Sequence, residues 1–564
     1  MPYLDPLTLL VALPATVVLV HLAIYLVDPY GIRKYPGPFL AKFTDAWLGY
    51  VSQQGHRSEV IHDMHLKYGP FVRISPSEVS VADPDALNIV YAHGNGALKS
   101  TFYDAFVSIE RGLFNTRDRK QHARKRKIVS HIFSQKSVVE FEPHIRLYIS
   151  MLLGQWDRLC AAAVKGLSGD DGDGGWVGRD GRLWLDCLPW ANYLAFDIIG
   201  DLAFGAPFGM IEAGRDRAPV PIDGPSNVAV AGKMTSDDIT YIPAVAVLNG
   251  RGEYSMSMGV LPRMGASFDA SRAVRLGQPT DRVDLLSKLQ AGTDDNGNPM
   301  GRAELTAEAL TLLIAGSDTT SNSTCAIIYH LAKNPEKQAK LQKELDEQLG
   351  IEDELVANSE QVKRLPYLDA CINEGLRIHS TSALGLPRIV PEGGLVIGDH
   401  AFPAGTVLSV PSFTIHRDPA VWGDDVEAYR PERWFEEDKK DAMQRTFNPF
   451  SVGPRCVYFP LPSLDHPVSS GAYHPAGVSR LVNRGRDAYH ILRMGMLIAI
   501  ATTNRACVGR NLASLELQMI IASILRRYHF VLEKPEEELD TREGFLRKPL
   551  RCHVGIKRRE GAVC

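Results

Sequence analysis

Apolar residues recur every three or four positions over long parts of the chain, which is the spacing of one face of an α-helix. This spacing predicts one helix over residues 303–333 and a second over 336–349, with Asn334-Pro335 as a break between them. Short apolar and β-branched runs predict strands at residues 71–74, 79–82, 395–397 and 407–410. The chain is therefore expected to be mainly α-helical with a minor β region.

One segment lacks any apolar period. Residues 169–181 read GDDGDGGWVGRDG, which is dominated by glycine and aspartate. Such a composition buries little apolar surface, and it predicts a flexible, disordered surface loop.

The amino-terminal segment is apolar throughout. Residues 6–27 contain no Asp, Glu, Lys or Arg, and about 20 such residues span a bilayer as a helix. A cleaved signal peptide would have a shorter apolar stretch with a basic residue before it, whereas here Asp5 precedes the stretch and Arg33 and Lys34 follow it. We therefore expect residues 1–28 to be a retained transmembrane anchor, with the remainder of the chain in the cytosol.

Prolines follow this stretch. Pro29 and Pro36-Gly37-Pro38 fix the backbone and remove hydrogen-bond donors. Residues 29–40 are therefore expected to be a stiff hinge, and residues 41–564 a single large domain.

Composition and charge narrow the functional classes. The 564 residues are 45% hydrophobic and carry a formal net charge of −4, so no nucleic-acid partner is indicated. Residues 117–127 (RDRKQHARKRK) are strongly basic, and the run is either a solvated helix face or a docking surface for an acidic partner. The eight cysteines are scattered without a CxxC motif, which indicates free thiols in a reducing compartment.

A polar cluster, AGSDTT at residues 315–320, interrupts the first predicted helix. The Thr319 hydroxyl can donate to the Ala315 carbonyl four residues back and loosen the helix, and Gly316 leaves room beside it. The cluster predicts a notch for a small molecule, into which Asp318 and Thr319 could relay protons. The alternative is a bent structural helix.

A second motif pairs opposite charges. Glu374 and Arg377 lie three residues apart and share a helix face, and Arg433 lies in the segment PERW. A carboxylate between two guanidinium groups can be buried because each charge is paired.

A third motif surrounds a cysteine. Residues 450–455 read FSVGPR and residues 505–510 read RACVGR, and Cys507 precedes a helical run over 511–525. A thiolate there would receive backbone N–H groups and the positive end of the helix dipole. Gly509 would let the backbone pass close to a flat ligand, although a lone cysteine is more often an inert core residue.

Four features, in this order, resemble the motif set of cytochromes P-450: the AGSDTT helix, the Glu374/Arg377 pair, the PERW segment and the FSVGPR…RACVGRNLA loop. The resemblance covers nearly the whole chain. It implies the cytochrome P-450 fold and a haem b group whose iron is held by the thiolate of Cys507. It also implies that Glu374, Arg377 and Arg433 form a structural triad behind the haem, and that Asp318 and Thr319 act in oxygen activation.

The same resemblance implies further cofactor-binding residues. His122 and Arg126 match the helix that meets the haem propionates, Arg388 and Arg505 are expected to contact them too, and Phe450 begins the cysteine loop. The alternative for His122 and Arg126 is a plain basic helix face.

The chain departs from the family in this loop. The family's loop is compact, and removing residues 456–505, a stretch of 50 residues, would restore FSVGPRACVGRNLA without a gap. We hypothesise that this insertion is translated intron, and transcripts that all contain it would contradict the hypothesis. Cys456 is a rival ligand, but Tyr458 stands where a glycine is needed. A genuine insertion would disturb iron ligation.

The resemblance implies a monooxygenase that inserts one oxygen atom from O2 into a substrate. The expected electron donor is a membrane-bound NADPH–cytochrome P-450 reductase, with cytochrome b5 as a second donor. The implied location is the endoplasmic reticulum membrane, with a single membrane pass and a cytosolic catalytic domain.

The expected substrate is a small aromatic acid. Residues 101–134 and 188–210 resemble the fungal benzoate 4-hydroxylase branch of the family. Arg111 and the hydroxyls of residues 380–382 are candidates to bind the carboxylate. Two other classes remain open: a haem-thiolate isomerase or dehydratase that needs no reductase, and a haem-binding membrane protein whose catalysis the insertion has impaired or removed.

Overall fold

Long helices surround a buried central helix, and small sheets lie at the periphery. The computed structural model describes residues 6–91, 94–108, 110–221, 239–260, 285–349, 355–452 and 507–559. The helices, in chain order, are α1 (Pro6–Val27), α2 (Ala46–Gln54), α3 (Arg57–Tyr68), α4 (Pro84–Tyr91), α5 (Arg119–Ser130), α6 (Gln135–Val139), α7 (Glu142–Val164), α8 (Cys187–Phe204), α9 (Met210–Ala213), α10 (Ala244–Gly259), α11 (Leu285–Ala291), α12 (Arg302–Lys333), α13 (Pro335–Leu349), α14 (Ser359–Val362), α15 (Pro366–His379), α16 (Ser412–Ile415), α17 (Pro419–Trp422), α18 (Lys440–Thr446) and α19 (Arg510–Arg527).

Strands are short and form five sheets within the described residues. They are β1 (Phe71–Arg73), β2 (Glu78–Val81), β3 (Leu98–Lys99), β4 (Ser168–Gly169), β5 (Trp176–Arg179), β6 (Arg182–Asp186), β7 (Ala218–Pro221), β8 (Ile239–Ile242), β9 (Arg388–Ile389), β10 (Leu395–Ile397), β11 (His400–Phe402), β12 (Val407–Ser409), β13 (Tyr528–Leu532), β14 (Thr541–Glu543), β15 (Arg547–Pro549) and β16 (His553–Arg558).

Two of the sheets have five strands each, in the orders β1-β2-β12-β9-β3 and β13-β16-β6-β5-β4. In the first sheet β12 runs parallel to β2, with Val407 opposite Glu78. The pairs β7-β8, β10-β11 and β14-β15 complete the set. The mainly helical prediction with a minor β region is therefore confirmed.

The central helix is α12, and it packs against α8, α15 and α19. The predicted helices over 303–333 and 336–349 correspond to α12 and α13, with the break at Asn334 as predicted. The four predicted strands correspond to β1, β2, β10 and β12, each within one residue at either end.

The predicted disordered loop at residues 169–181 is wrong. Trp176 begins β5, which pairs antiparallel with β6 in a hairpin, and its side chain is buried. Glycines at positions 172, 174 and 175 adopt positive φ angles and form the turn before the strand. Pairing with β6 and burial of the indole stabilise a segment whose composition alone indicates disorder.

The first helix, α1, coincides with the apolar stretch of residues 6–27. Among the helices of the described ranges, none is long and apolar enough to cross a membrane. The predicted transmembrane anchor is therefore not supported by the structure.

The proline-rich segment that follows α1 packs closely against the first sheet. The Arg73 amide donates to the Pro36 carbonyl at 2.8 Å, and Ile32 and Tyr35 are buried. A Cβ atom added to Gly37 would lie 2.1 Å from the Arg73 carbonyl oxygen, so only glycine permits this approach.

Candidate active site

A cavity of about 360 Å³ brings the sequence motifs together. Its α12 side is lined by Ala315, Gly316 and Thr319, and Phe450 and Cys507 line it as well. Motifs separated by nearly two hundred residues therefore face one space.

Cys507 lies in the turn immediately before α19. Its amide donates to the Phe450 carbonyl at 2.8 Å, and the amides of Gly509 and Arg510 donate to its sulfur. Burial raises the pKa of the Cys507 thiol, and those amides together with the Arg126 and Arg510 guanidinium groups oppose the rise. The Cys507 side chain lines the cavity and is exposed, and a Cβ atom added to Gly509 would be in ordinary contact with its sulfur at 4.0 Å.

The cavity also has a cationic wall that includes His122, Arg126 and Arg388. Within the described part of the chain, the buried Nε of Arg126 has no hydrogen-bond partner. Arg388 is buried and donates to the Tyr103 hydroxyl and to the Pro387 carbonyl. A buried donor without an acceptor is costly, so this wall is suited to a carboxylate ligand such as a haem propionate.

Together the donors fit the implied haem. Cys507 lines the cavity with its sulfur, a basic wall can pair two carboxylates, and Gly316 lines the cavity as well. A Cβ atom added to Gly316 would lie 2.8 Å from Ile199, so α12 approaches α8 closely there.

Glu374, Arg377 and Arg433 form a fully buried ion cluster outside the cavity lining. Arg377 donates to both carboxylate oxygens of Glu374, at 2.9 and 3.0 Å, and Arg433 donates to one of them at 2.9 Å. Arg377 also donates to the His416 carbonyl at 2.8 Å, and Arg433 donates to the Trp422 carbonyl. The cluster therefore joins α15 to the segment before α18, which is the geometry expected of a structural triad.

Thr319 and Asp318 point in different directions. The Thr319 hydroxyl donates to the Ala315 carbonyl at 2.6 Å, as predicted, and lines the cavity. Asp318 does not line the cavity; its buried carboxylate accepts a hydrogen bond from Lys548 Nζ on β15 at 2.8 Å. Successive residues of a helix lie about 100° apart, so Thr319 faces the cavity while Asp318 faces β15. The proton relay predicted for this pair stays a prediction.

Sequence reasoning missed a buried acid in the cavity wall. Glu516 on α19 accepts a hydrogen bond from the Thr320 hydroxyl at 3.0 Å, and both residues line the cavity. Burial raises the pKa of Glu516 to about 8. The sequence feature that could have indicated Glu516 is an acidic residue within an otherwise apolar helical run.

The titration of Glu516 gives a pH-dependent stability. An unfolded glutamate has a pKa of about 4.3, so between that pH and about 8 the folded state holds a proton that the unfolded state lacks. Stability therefore falls as pH rises through this window, by roughly 5 kcal/mol over the whole of it for such a shift. We expect Glu516→Gln to flatten the dependence in urea unfolding at pH 6 and pH 9.

The matched control for this prediction is Glu437→Gln, since Glu437 is exposed. Glu308, whose pKa burial raises to about 7, leaves a residual slope of the same sign in every variant. Equal slopes for wild type and Glu516→Gln would contradict the assignment.

Part of the cavity wall is aromatic. Phe114 and Phe545 line it, with ring centroids 5.1 Å apart, and Phe106 packs behind both. Edge-to-face contacts of this kind stabilise aromatic clusters. The surface is suited to a planar apolar ligand.

Only some of the residues predicted to bind the substrate carboxylate line the cavity. Arg111 does not line the cavity and donates instead to Asp104 at 2.8 Å and to the Asn115 carbonyl. Ser380 donates to the Arg377 carbonyl and lies outside the lining. Thr381 and Ser382 do line the cavity.

The basic run of residues 117–127 has both buried and exposed side chains. Lys125 is buried and donates to the Arg111 carbonyl at 2.7 Å, while Arg119, Lys120 and Lys127 are exposed. Arg505 and Cys456, like the rest of residues 453–506, lie outside the described residues.

Comparison with known proteins places the chain in a family. The family model described as Cytochrome P450 matches residues 36–231, 263–457 and 504–555. The break between 457 and 504 falls inside the predicted insertion of residues 456–505. The family match therefore continues on both sides of that segment.

Three curated relatives are similar over most of their length. Benzoate 4-monooxygenase bphA of Aspergillus niger is 42% identical over 97% of this chain and 96% of its own length. Cytochrome P450 monooxygenase cicH of Emericella nidulans is 28% identical over 97% and 99%. Cytochrome P450 monooxygenase poxM of Penicillium oxalicum is 27% identical over 90% and 86%.

Proposed function

We propose that the chain, which belongs to the cytochrome P450 family, hydroxylates benzoate at the carbon para to its carboxylate. Membership of the family makes it a haem-thiolate monooxygenase. The observation that supports benzoate as the substrate is the 42% identity with a benzoate 4-monooxygenase over 97% of the chain. The aromatic part of the cavity wall is consistent with that substrate.

When bound, the haem supplies oxygen activation and transfer, and a thiolate ligand favours cleavage of the O–O bond. The chain's own residues position it. Cys507 would hold the iron, while His122, Arg126 and Arg388 would pair the propionates. Arg505 is a proposed further propionate contact in the chain as written, and Arg455 takes its place before Ala506 where residues 456–505 are absent.

The hydroxyl of Thr319 is proposed to hold a proton that the reaction consumes. The hydroxyl faces the cavity and is oriented by its bond to the Ala315 carbonyl. Asp318, paired with Lys548, is proposed as a positioning residue and proton reservoir behind α12. Proton delivery through a positioned side chain contributes about 10²–10⁴-fold to a rate.

We therefore expect Thr319→Val to lower the product formed per NADPH consumed by at least about tenfold, because valine keeps the shape and removes the hydroxyl. Thr319→Ser, which restores a hydroxyl, is the matched control and should recover most of the yield. The measurement is 4-hydroxybenzoate by chromatography against NADPH oxidation. Equal yields from the Val and Ser variants would exclude a proton role for this hydroxyl.

Benzoate is proposed to bind with its ring against Phe114 and Phe545 and its carboxylate towards the hydroxyls of Thr381 and Ser382. A hydrogen bond to a charged group is worth roughly 1.5–3 kcal/mol, so Ser382→Ala should weaken benzoate binding by about tenfold or more. Binding of methyl benzoate, which lacks the charge, should change little.

Titration of the holoprotein's Soret band measures both affinities, and product analysis identifies the hydroxylated carbon. Absence of a Soret shift at millimolar benzoate would contradict the proposed substrate while leaving the family unaffected. Hydroxylation ortho or meta to the carboxylate would contradict the proposed orientation.

Electrons are proposed to come from NADPH–cytochrome P450 reductase, with cytochrome b5 as a second donor. The exposed residues Arg119, Lys120 and Lys127 offer a cationic surface for an acidic partner. The surface is smaller than the basic run suggests, because Lys125 and Arg126 face inward. Product formation by the reconstituted protein with both NADPH and reductase, compared with either component alone, tests this proposal.

Association with the endoplasmic reticulum membrane is proposed through the apolar surface of α1. Val18, Leu19 and Val27 are 64%, 63% and 76% exposed. Apolar surface left open in this way favours burial in another apolar phase. Flotation of the full chain with phospholipid vesicles, compared with a chain that starts at residue 29, tests the proposal.

The insertion is proposed to be absent from the active enzyme. Its ends coincide within two residues with the break in the family match. Neither a reductase-independent isomerase nor a non-catalytic protein is favoured by the relatives, all of which are named as monooxygenases.

A further inference from the structure

Three cysteines outside the active site converge in the core. The sulfur atoms of Cys187, Cys325 and Cys552 lie within 4.8 Å of one another. All three side chains are buried, and none of them lines the active-site cavity. They come from the first residue of α8, the C-terminal part of α12 and the loop before β16, so the cluster exists only in the folded chain.

Backbone hydrogen bonds hold two of these cysteines side by side. The Cys187 amide donates to the Cys552 carbonyl at 2.9 Å. The Cys552 amide donates to the Asp186 carboxylate at 2.8 Å, and the same oxygen accepts the Leu188 amide at 3.0 Å. Asp186 thus caps α8 and fixes the loop that carries Cys552.

The sulfur atoms also interact with one another. The thiols of Cys187 and Cys325 donate to the sulfur of Cys552, which lowers the pKa of Cys552. Cys187 is the first residue of α8, where the positive end of the helix dipole favours a thiolate. Hydrogen bonds within the cluster and burial raise the pKa values of Cys187 and Cys325, so a binding ion must displace the protons of these two thiols.

We propose that Cys187, Cys325 and Cys552 form a three-thiolate binding site for a soft, trivalent ion. The ion proposed is arsenic(III), which reaches the site as arsenite. Three sulfurs about 2.3 Å from a central soft ion lie about 4 Å from one another in a trigonal arrangement. The observed limit of 4.8 Å requires only small side-chain movements to reach that geometry.

Coordination number and charge select the ion. Structural zinc takes four ligands, and the described residues contribute three donors to this cluster. Copper(I) accepts thiolates, but with three of them it leaves a buried net negative charge next to Asp186. Arsenic(III) with three thiolates is neutral, so it avoids the cost of burying a charge.

The binding step balances without an oxidant or reductant. Arsenous acid loses three As–O bonds and the cysteines lose three S–H bonds. Three As–S bonds form, and three water molecules leave. Because the cysteines are buried, entry requires a local opening of the structure, and binding is expected to be slow.

The first test uses the reduced holoprotein, incubated with sodium arsenite and then gel-filtered. Elemental mass spectrometry should find one arsenic atom per chain. Cys325→Ala should reduce arsenic to background, whereas Cys371→Ala, which removes a buried cysteine outside the cluster, should retain it. Retention of arsenic by Cys325→Ala would overturn the site.

The second test needs no variant. X-ray absorption at the arsenic edge of the wild-type complex should show three sulfur neighbours and no oxygen. Oxygen neighbours would overturn the three-thiolate site. Zinc or copper(I) retained in preference to arsenite in direct competition would overturn the choice of ion, and a cluster disulfide that survives phosphine reduction would overturn both.

Discussion

Replacing Cys507 by serine is expected to abolish both the thiolate-type carbon monoxide difference spectrum of the reduced protein and the hydroxylation of benzoate. A serine hydroxyl stays protonated near neutral pH and does not supply the electron density of a thiolate. The backbone around the sulfur, including the amides of Gly509 and Arg510, should remain in place. Product formation should fall to the background rate.

The control for this experiment is Cys456→Ser, which changes the rival cysteine of the insertion. Its spectrum and rate should match those of the parent. A thiolate-type spectrum that survives Cys507→Ser and disappears with Cys456→Ser would transfer the ligand role to Cys456.

Replacing Glu374 by alanine is expected to cost about 3–5 kcal/mol of unfolding free energy, because the buried Arg377 loses its carboxylate partner. Arg433 keeps an ion pair with Asp425 at 3.2 Å. Arg377 and Arg433 are both fully buried, and Glu374 is the carboxylate that both contact. Urea unfolding of the holoprotein measures the change through a lower midpoint. Haem should also be lost at lower urea concentration.

Glu437→Ala is the matched control, since the Glu437–Lys440 pair is exposed. Such pairs are worth about 0–1 kcal/mol. A loss for Glu374→Ala as small as that of the control would show that water or another group compensates the two guanidinium groups.

Long periodic helices were predicted closely from the sequence. The ends of α12 and α13 follow from an apolar period that continues for many turns and a proline at the break. Such signals are local, and each residue contributes independently to the same helix face.

The hairpin at β5 and β6 shows where local reasoning failed. Its glycines and aspartates indicate a loop, yet Trp176 pairs with Leu185 and is buried. The stabilising contacts come from the neighbouring strand and from the core beneath it. Strand formation depends on such partners more than on intrinsic preference.

The sequence by itself determined the family, the cysteine proposed to hold the iron, and the helices that carry the site. These features depend on residue types at short, regular spacings. Only the tertiary structure decided that Asp318 turns away to Lys548, that Glu516 enters the cavity, and that Cys187, Cys325 and Cys552 meet. Contacts between distant segments depend on how whole helices and strands pack, and no short spacing in the chain encodes that packing.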